Sequence, residues 1–207
     1  MKLTIKAEFQ SYWHIGTGRG SGQNADALVE KDVFGLPYVP GKTLKGLFRD
    51  ACFKLDEWEQ QDGLTNLLFG IRTGADNQKR EETEFGLLRF GNLEMPEKVY
   101  LQQRHAGVRN EVSHLFHVLS STAIDEQTGS AKDKSLRLTE VVIPMTLMGE
   151  ISLIPPVGQS IQQQAQRALM QNPQQLVLTL QQAASLITHI GANKNRGFGR
   201  VRLEIVQ

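Results

Sequence analysis

The sequence predicts an α+β domain with a ferredoxin-like core and an expanded hairpin between its middle strands, on three observations. Strict apolar–polar alternation marks a strand near each end. Two further segments carry an apolar stripe at helical spacing, and the elements follow the order strand, helix, strand, insertion, strand, helix, strand. Residues 2–9, KLTIKAEF, put Leu3, Ile5, Ala7 and Phe9 on one face and Lys2, Thr4, Lys6 and Glu8 on the other, which makes a half-buried strand. The stretch HIGTGRGSGQNAD that follows is too polar and glycine-rich for a regular element and reads as a long loop. From Thr43, TLKGLFRDACFKLDEWE sets Leu44, Leu47, Phe48, Cys52 and Leu55 along one face of a helix weakened at Gly46.

Residues 70–84 are charged and aperiodic and read as a surface loop, and a short strand follows within FGLLRFGNL. Between residues 104 and 140 the alternation is patchy, with a turn signal in DEQTGSAKDK, which predicts a hairpin or extended insertion away from the core. TLMGEISLI alternates again as a strand. After Pro155 and Pro156 comes a short helical piece ended by Asn172-Pro173. Then QQLVLTLQQAASLITHI carries a stripe of Leu176, Leu180, Ala184 and Ile187, with Gly191 where a C-cap glycine belongs. The last strand, GRVRLEIV, turns Val201, Leu203 and Ile205 inward and Arg200, Arg202 and Glu204 outward.

At 207 residues, 40% of them apolar, the chain is expected to form one domain over residues 1–207. With no apolar run long enough for a bilayer and no signal segment, it is expected to be soluble and cytoplasmic, without a membrane partner. The single cysteine, Cys52, excludes an internal disulfide and a cysteine-based zinc site, and its neighbours Leu47, Phe48 and Leu55 predict a buried thiol.

Lys and Arg number 23 against 22 Asp and Glu, so net charge argues for no polyanionic partner; only local clustering can. Two clusters exist: Lys42, Lys45 and Arg49 in one segment, and Lys194, Arg196, Arg200 and Arg202 in the other. GKT at residues 41–43 resembles the tail of a nucleotide-binding P-loop. However, five residues separate Gly35 from Gly41 where four are required, and Pro37 and Pro40 stiffen the interior, which excludes that NTPase motif. What remains is a Pro-Gly turn into a helix whose first-turn amides, with Lys42, Thr43 and Lys45 beside them, suit a phosphate; a capped helix with a solvated basic face is the alternative. In GANKNRGFG, glycines 191, 197 and 199 let backbone amides approach an anion while Lys194 and Arg196 add charge. The alternative is a C-cap and a tight turn.

WHIGTG, GLPYVPGKTLKGLFRDA, FG at residues 69–70, AIDEQTGSAKDKSLRLTEVVIP and GANKNRGFGRVRL together resemble the successive motifs of the CRISPR-associated RAMP superfamily, most of all the repeated backbone subunit of type III effector complexes. The resemblance implies a modified ferredoxin-like, RRM-like core that polymerises head to tail along a CRISPR RNA beside other effector subunits. It also implies an extended hairpin, or thumb, within residues 108–143, and cleavage of the complementary target RNA beside each thumb. It places RNA contacts at His14, Gly16, Gly18, Lys42, Thr43, Lys45, Arg49, Lys194, Arg196, Gly197, Phe198 and Gly199. The cleavage aspartate falls on Asp26, with Asp32 as the alternative, and such a carboxylate can assist a ribose 2′-OH or bind a divalent ion, magnesium or manganese. Outside the resemblance, a loop aspartate of this kind caps its own turn. Two alternative functions stay open: a scaffold that binds CRISPR RNA without cutting, and a CRISPR RNA processing endonuclease with His14 as acid or base. His114 and His117 lack a third metal ligand nearby, and Trp13, Phe34 and Tyr38 are expected in packing rather than base stacking.

Overall fold

The first strand behaves as its alternation requires. In a computed structural model, which describes residues 1–18, 20, 25–59, 63–71, 85–96 and 112–206, β1 (Lys2–Phe9) buries Leu3, Ile5, Ala7 and Phe9. It is hydrogen-bonded on both sides. β5 (Thr146–Leu153) runs antiparallel to it from Lys2↔Ser152 to Glu8↔Thr146, and β6 (Val201–Val206) from Thr4↔Val206 to Phe9↔Val201. β2 (Leu88–Phe90) adds antiparallel to the far side of β5, giving the order β2-β5-β1-β6 and the β-α-β-β-α-β connectivity.

The buried face is covered by α1 (Gly41–Glu59) and α4 (Pro173–Leu186), whose apolar stripes meet the strands in one cluster: Leu44, Phe48 and Cys52 from the first helix, Leu176, Leu180 and Ala184 from the second. The predicted helices are therefore present, α1 starting two residues earlier than Thr43. Two short helices join them. α2 (Leu64–Phe69), with no full stripe to announce it, is joined to α1 by the Asp56 carboxylate, which accepts from the Thr65 amide at 2.8 Å. α3 (Ile161–Met170) is fixed at its start by a capping box in which Ser160 and Gln163 exchange hydrogen bonds, and α4 starts with Pro173 in its first turn behind the Asn172 cap.

Gly191 is not the C-cap of α4. The helix closes at Ile187 in an extended conformation, and Gly191, at φ +103°, lies where a Cβ would meet the His14 carbonyl oxygen. The predicted loop over 70–84 lies outside the described residues from residue 72 onward, as do residues 108–111 of the expected insertion. Among the described residues no helix is long and apolar enough to cross a membrane.

The insertion contains a second sheet, a hairpin of β3 (Phe116–Ser121) and β4 (Arg137–Val142) paired from Phe116↔Val142 to Ser121↔Arg137. Its connection is turned by Asp125, whose carboxylate accepts from the amides of Gln127 and Thr128, both at 3.0 Å, and is thereby held below the usual carboxylate range. The hairpin base is fastened to the core. Trp13, stacked on Phe9 at 4.6 Å, exchanges backbone hydrogen bonds with Val142, and the loop after β1 returns so that residues 26–29 run along β4.

At this seam lies Glu140, 9% exposed. Its carboxylate accepts from the Val29 amide at 3.0 Å and from Lys31 Nζ at 2.7 Å, its amide donates to the Ala27 carbonyl at 3.0 Å, and its own carbonyl lies 2.6 Å from His14 Nδ1. Lys31 Nζ also sits 4.0 Å from the centre of the Phe116 ring. The charge is buried with its hydrogen-bonding capacity met, the condition under which an internal ion pair is tolerated.

Gly46 is exposed in the interior of α1 with open space where a Cβ would stand. Gly46→Ala should therefore raise stability by about 0.5–1 kcal/mol in a denaturation experiment, through backbone entropy alone. Cys52 is buried, and loss of solvation with the nearby Asp56 charge pushes its thiol from 9.0 to about 12. Because the folded state disfavours the thiolate, Cys52 is neutral in stability below the ordinary thiol pKa and costs stability above it. At pH 8 the native protein should react negligibly with a disulfide reagent that titrates one thiol once the chain is unfolded.

Candidate nucleic-acid interface

The glycine-rich segments after β1 and before β6, far apart in sequence, meet at one end of the sheet. The Tyr12 carbonyl accepts from the Gly199 amide at 2.7 Å and the His14 carbonyl from the Ala192 amide at 2.8 Å, while Gln10 donates to the Arg200 carbonyl at 2.8 Å and Ser11 Oγ accepts from the Arg200 amide at 3.0 Å. Gly199 is required by its surroundings as well as by its φ of +72°, since a Cβ there would collide with the Ile190 carbonyl oxygen. Gly197, at φ +82°, has open space around it.

The amides of this loop are largely used within the protein: Arg196 donates to Asn193, Gly197 to Lys194, and Phe198 to Asn193. This corrects the expectation of a free anion-binding concavity. The glycines let the chain pack tightly, and the short 3-10 turn Lys194–Arg196 is left holding two exposed cations on a stiff support, with Arg200 exposed next in line. Phe198 is half-buried.

The other basic cluster sits at the opposite edge of the sheet, where α1 begins against β2. A Cβ on Gly41 would collide with the Phe90 carbonyl oxygen, so only glycine lets the helix start this close. Most first-turn amides are again occupied: Gly41 donates to Asn92 Oδ1 at 3.0 Å and Thr43 to the Pro40 carbonyl at 2.9 Å, while that of Lys42 has no partner among the described residues. Lys42 is exposed and Lys45 half-buried, and both line a groove beside the exposed Arg89. Arg49 is committed elsewhere, donating to the Gly70 carbonyl at 3.0 Å beyond the end of α2.

The three catalytic candidates differ in setting. Asp26 is exposed and clipped to the hairpin: its amide donates to the Leu138 carbonyl and its Oδ2 accepts from the Leu138 amide, each at 2.7 Å, leaving Oδ1 without a partner among the described residues. Asp32 Oδ1 accepts from the amides of Phe34 and Leu36, both at 2.8 Å, closing the turn through Gly35 in the manner of an Asx turn. His14 is 4% exposed, its Nδ1 against the Glu140 carbonyl and its Nε2 only 2.7 Å from where a Cβ on Gly16 would be, so Gly16 leaves room for the ring. Gly18, at φ +75°, stands in open space.

Trp13 is buried and donates to the Ile143 carbonyl, and Tyr38 donates to Glu30 Oε1 at 3.0 Å; desolvation and that carboxylate raise the Tyr38 pKa. His114 and His117 lie in a 3-10 turn and in β3, and among the described residues no three His, Cys, Asp or Glu side chains converge on a metal position. Sequence reasoning missed Glu140, which carried no signal beyond being an acidic residue in an apolar strand.

No curated protein matches the chain. Among solved structures, a chain of the cryo-EM structure of Type III-B Cmr-beta in the apo state aligns with a TM-score of 0.63 at 12% identity, covering 100% of this chain and 98% of that one. A chain of Type III-B Cmr-beta bound to cognate target RNA gives 0.65 at 12%, covering 99% and 97%. At such identity the likeness is one of fold. Family membership rests on a family model, that of the RAMP superfamily, which matches residues 6–202, and the chain belongs to that superfamily.

Proposed function

We propose that the protein is an RNA-binding backbone subunit of a type III CRISPR effector complex, joined head to tail with copies of itself and with other effector subunits, and that it cuts target RNA paired to its CRISPR RNA. The observation that carries this reading is the clamped glycine-rich loop. It holds Lys194, Arg196 and Arg200 out from one edge of the sheet, while Lys42, Lys45 and Arg89 stand at the other. Cations on stiff supports bind a phosphodiester strand without regard to its bases.

Asp26 is the cleavage residue in this reading. Its free Oδ1 accepts the proton of a ribose 2′-OH; that 2′ oxygen attacks the adjacent phosphorus, the P–O5′ bond breaks as the departing O5′ takes a proton from water, Asp26 returns its proton to the hydroxide so formed, and the products are a 2′,3′-cyclic phosphate and a 5′-hydroxyl. The clip to Leu138 ties the carboxylate to the hairpin, so the cut would fall where the hairpin meets the RNA. No step here runs through a metal. Asp32 spends Oδ1 on its turn and keeps Oδ2 without a partner among the described residues, so it stays the alternative to Asp26, while the burial of His14 favours a packing role and weakens the processing-endonuclease reading. The scaffold reading shares every binding feature and differs only at Asp26.

Replacing Lys42, Lys45 and Arg196 together should weaken single-stranded RNAs of different sequence by similar factors and reduce the slope of log affinity against log salt by roughly 2, about 0.7 for each phosphate that the protein no longer neutralises. Wild-type affinity and slope in that variant would contradict the proposed strand path.

Asp26→Ala should leave RNA binding and assembly intact and slow cleavage of guide-complementary RNA by ~10²-fold to ~10⁴-fold. Asp32→Ala and His14→Ala in the same assay, with and without a chelator, separate the candidates and read whether a divalent ion takes part. Cutting at the wild-type rate by Asp26→Ala removes that residue from the mechanism, and an inert wild-type complex selects the scaffold.

A further inference from the structure

The groove between α1, β2 and α3 has a composition that phosphate binding alone does not explain. Its volume is about 760 Å³, within the range of small-ligand clefts. Lys42, Lys45 and Arg89 supply cations, and Phe85, Ile154, Pro155, Pro156 and Val157 supply apolar walls. Phe85 is 86% and Val157 90% exposed, an unusual placement for large apolar side chains that share one cleft.

The polar members of the wall come from one face of α3, three residues apart. Gln166 is 2% exposed, and its Nε2 donates to the carbonyls of Leu67 at 3.0 Å and Phe85 at 2.8 Å. Two carbonyl acceptors fix the amide orientation, so the remaining atom, Oε1, is an acceptor without a partner among the described residues. Among those residues Thr65 Oγ1 is the one fully buried side-chain polar atom without a partner, so the Gln166 oxygen is not completely buried, and the Gln166 side chain lines the groove. Gln163 is the complement. Its Oε1 is occupied by the Ser160 amide at 3.1 Å in the capping box, which leaves its Nε2 protons to donate. A fixed acceptor and a fixed donor side by side, between apolar walls and beside three cations, match the edge, faces and phosphate of one chemical unit.

We propose that this groove binds a nucleoside phosphate, with the base between the Phe85 and Pro155–Val157 walls, its edge read by Gln166 Oε1 and Gln163 Nε2, and its phosphate on Lys42, Lys45 and Arg89. The unit is either a free mononucleotide or one nucleotide of a bound RNA. The site shares Lys42, Lys45 and Arg89 with the proposed strand path but stands without it, because the base-reading pair and the apolar walls are separate from the loop at Lys194–Arg196.

The test is calorimetric titration of the full-length protein with AMP, ribose 5-phosphate and inorganic phosphate. AMP should bind at least tenfold more tightly than either of the other two. Two variants keep every basic residue: Gln163→Glu retains the capping-box acceptor while removing the donor, and Val157→Asp charges an exposed wall. Each should weaken AMP at least tenfold while the thermal midpoint stays within the range of surface substitutions. Saturating single-stranded RNA then separates the sources: loss of AMP binding means that an RNA nucleotide fills the groove, and retained binding means a site for free nucleotide. Ribose 5-phosphate or phosphate binding as tightly as AMP, AMP failing to bind at millimolar concentration, or both variants binding AMP like wild type overturns the proposal. The Lys42, Lys45 and Arg196 triple variant tests the strand path independently, by its salt slope.

Discussion

The Glu140 carboxylate is the constraint on which the loops of this molecule depend. A negative charge at 9% exposure needs compensation, and what compensates it comes from elsewhere in the sequence, the Val29 amide and the Lys31 ammonium, while the Glu140 backbone is bonded to Ala27 and His14. Meeting that demand draws the loop after β1 against β4. The same seam orients Asp26 through Leu138 and seats the His14 ring beneath Gly16, and the His14 carbonyl in turn receives the amide of Ala192. One buried charge thus ties together the hairpin, the loop carrying Asp26 and the glycine-rich segment before β6. Because both sides of the pair are hydrogen-bonded, its value is more in specifying this arrangement than in net stabilisation.

The electrostatics are local. With a net charge of +1 the molecule exerts little attraction at long range, and cations matter where the fold concentrates them without neutralising partners. On the open face of the sheet it does the reverse: Lys2 pairs with Glu150, Lys6 with Glu204, and Arg202 with the same Glu204. Those pairs are solvent-exposed and add little stability, but they offset much of the positive charge that the strands carry on that face.

Much of the fold was legible because burial in an antiparallel sheet with one covered face writes itself as alternation; β1 and β6 carry that pattern without interruption, as α4 carries its stripe from Leu176 to Ile187. The hairpin was visible mainly through its turn, since β3 and the outer half of β4 are largely exposed and only the hairpin base packs on the core. α2 is six residues long, too short for periodicity to register. Of the interface, the basic residues and glycines could be found, but their reasons could not: Gly191 and Gly199 answer to residues close in space, and the backbone amides credited to an anion are donated inside the protein. Glu140 and Gln166 were invisible for one physical reason. Each reads as a surface residue by type, and only the three-dimensional arrangement supplies the partners that let it be buried.

The central position of β1 has a kinetic consequence. Its two neighbours are β5 and β6, so the pair Thr4↔Val206 closes almost the largest loop this chain can form. Such pairing requires most of the loop-closure entropy to be given up before any favourable interaction forms, which places it late and slow in folding. The hairpin of β3 and β4 and the helical turns are local and can form first. The clamp of the Ala192 and Gly199 amides on His14 and Tyr12 must wait for β6 to reach β1. A chain that has not yet closed this pairing therefore has its basic loop unclamped and an edge of β1 unpaired, open to off-pathway pairing with other chains until the sheet is complete.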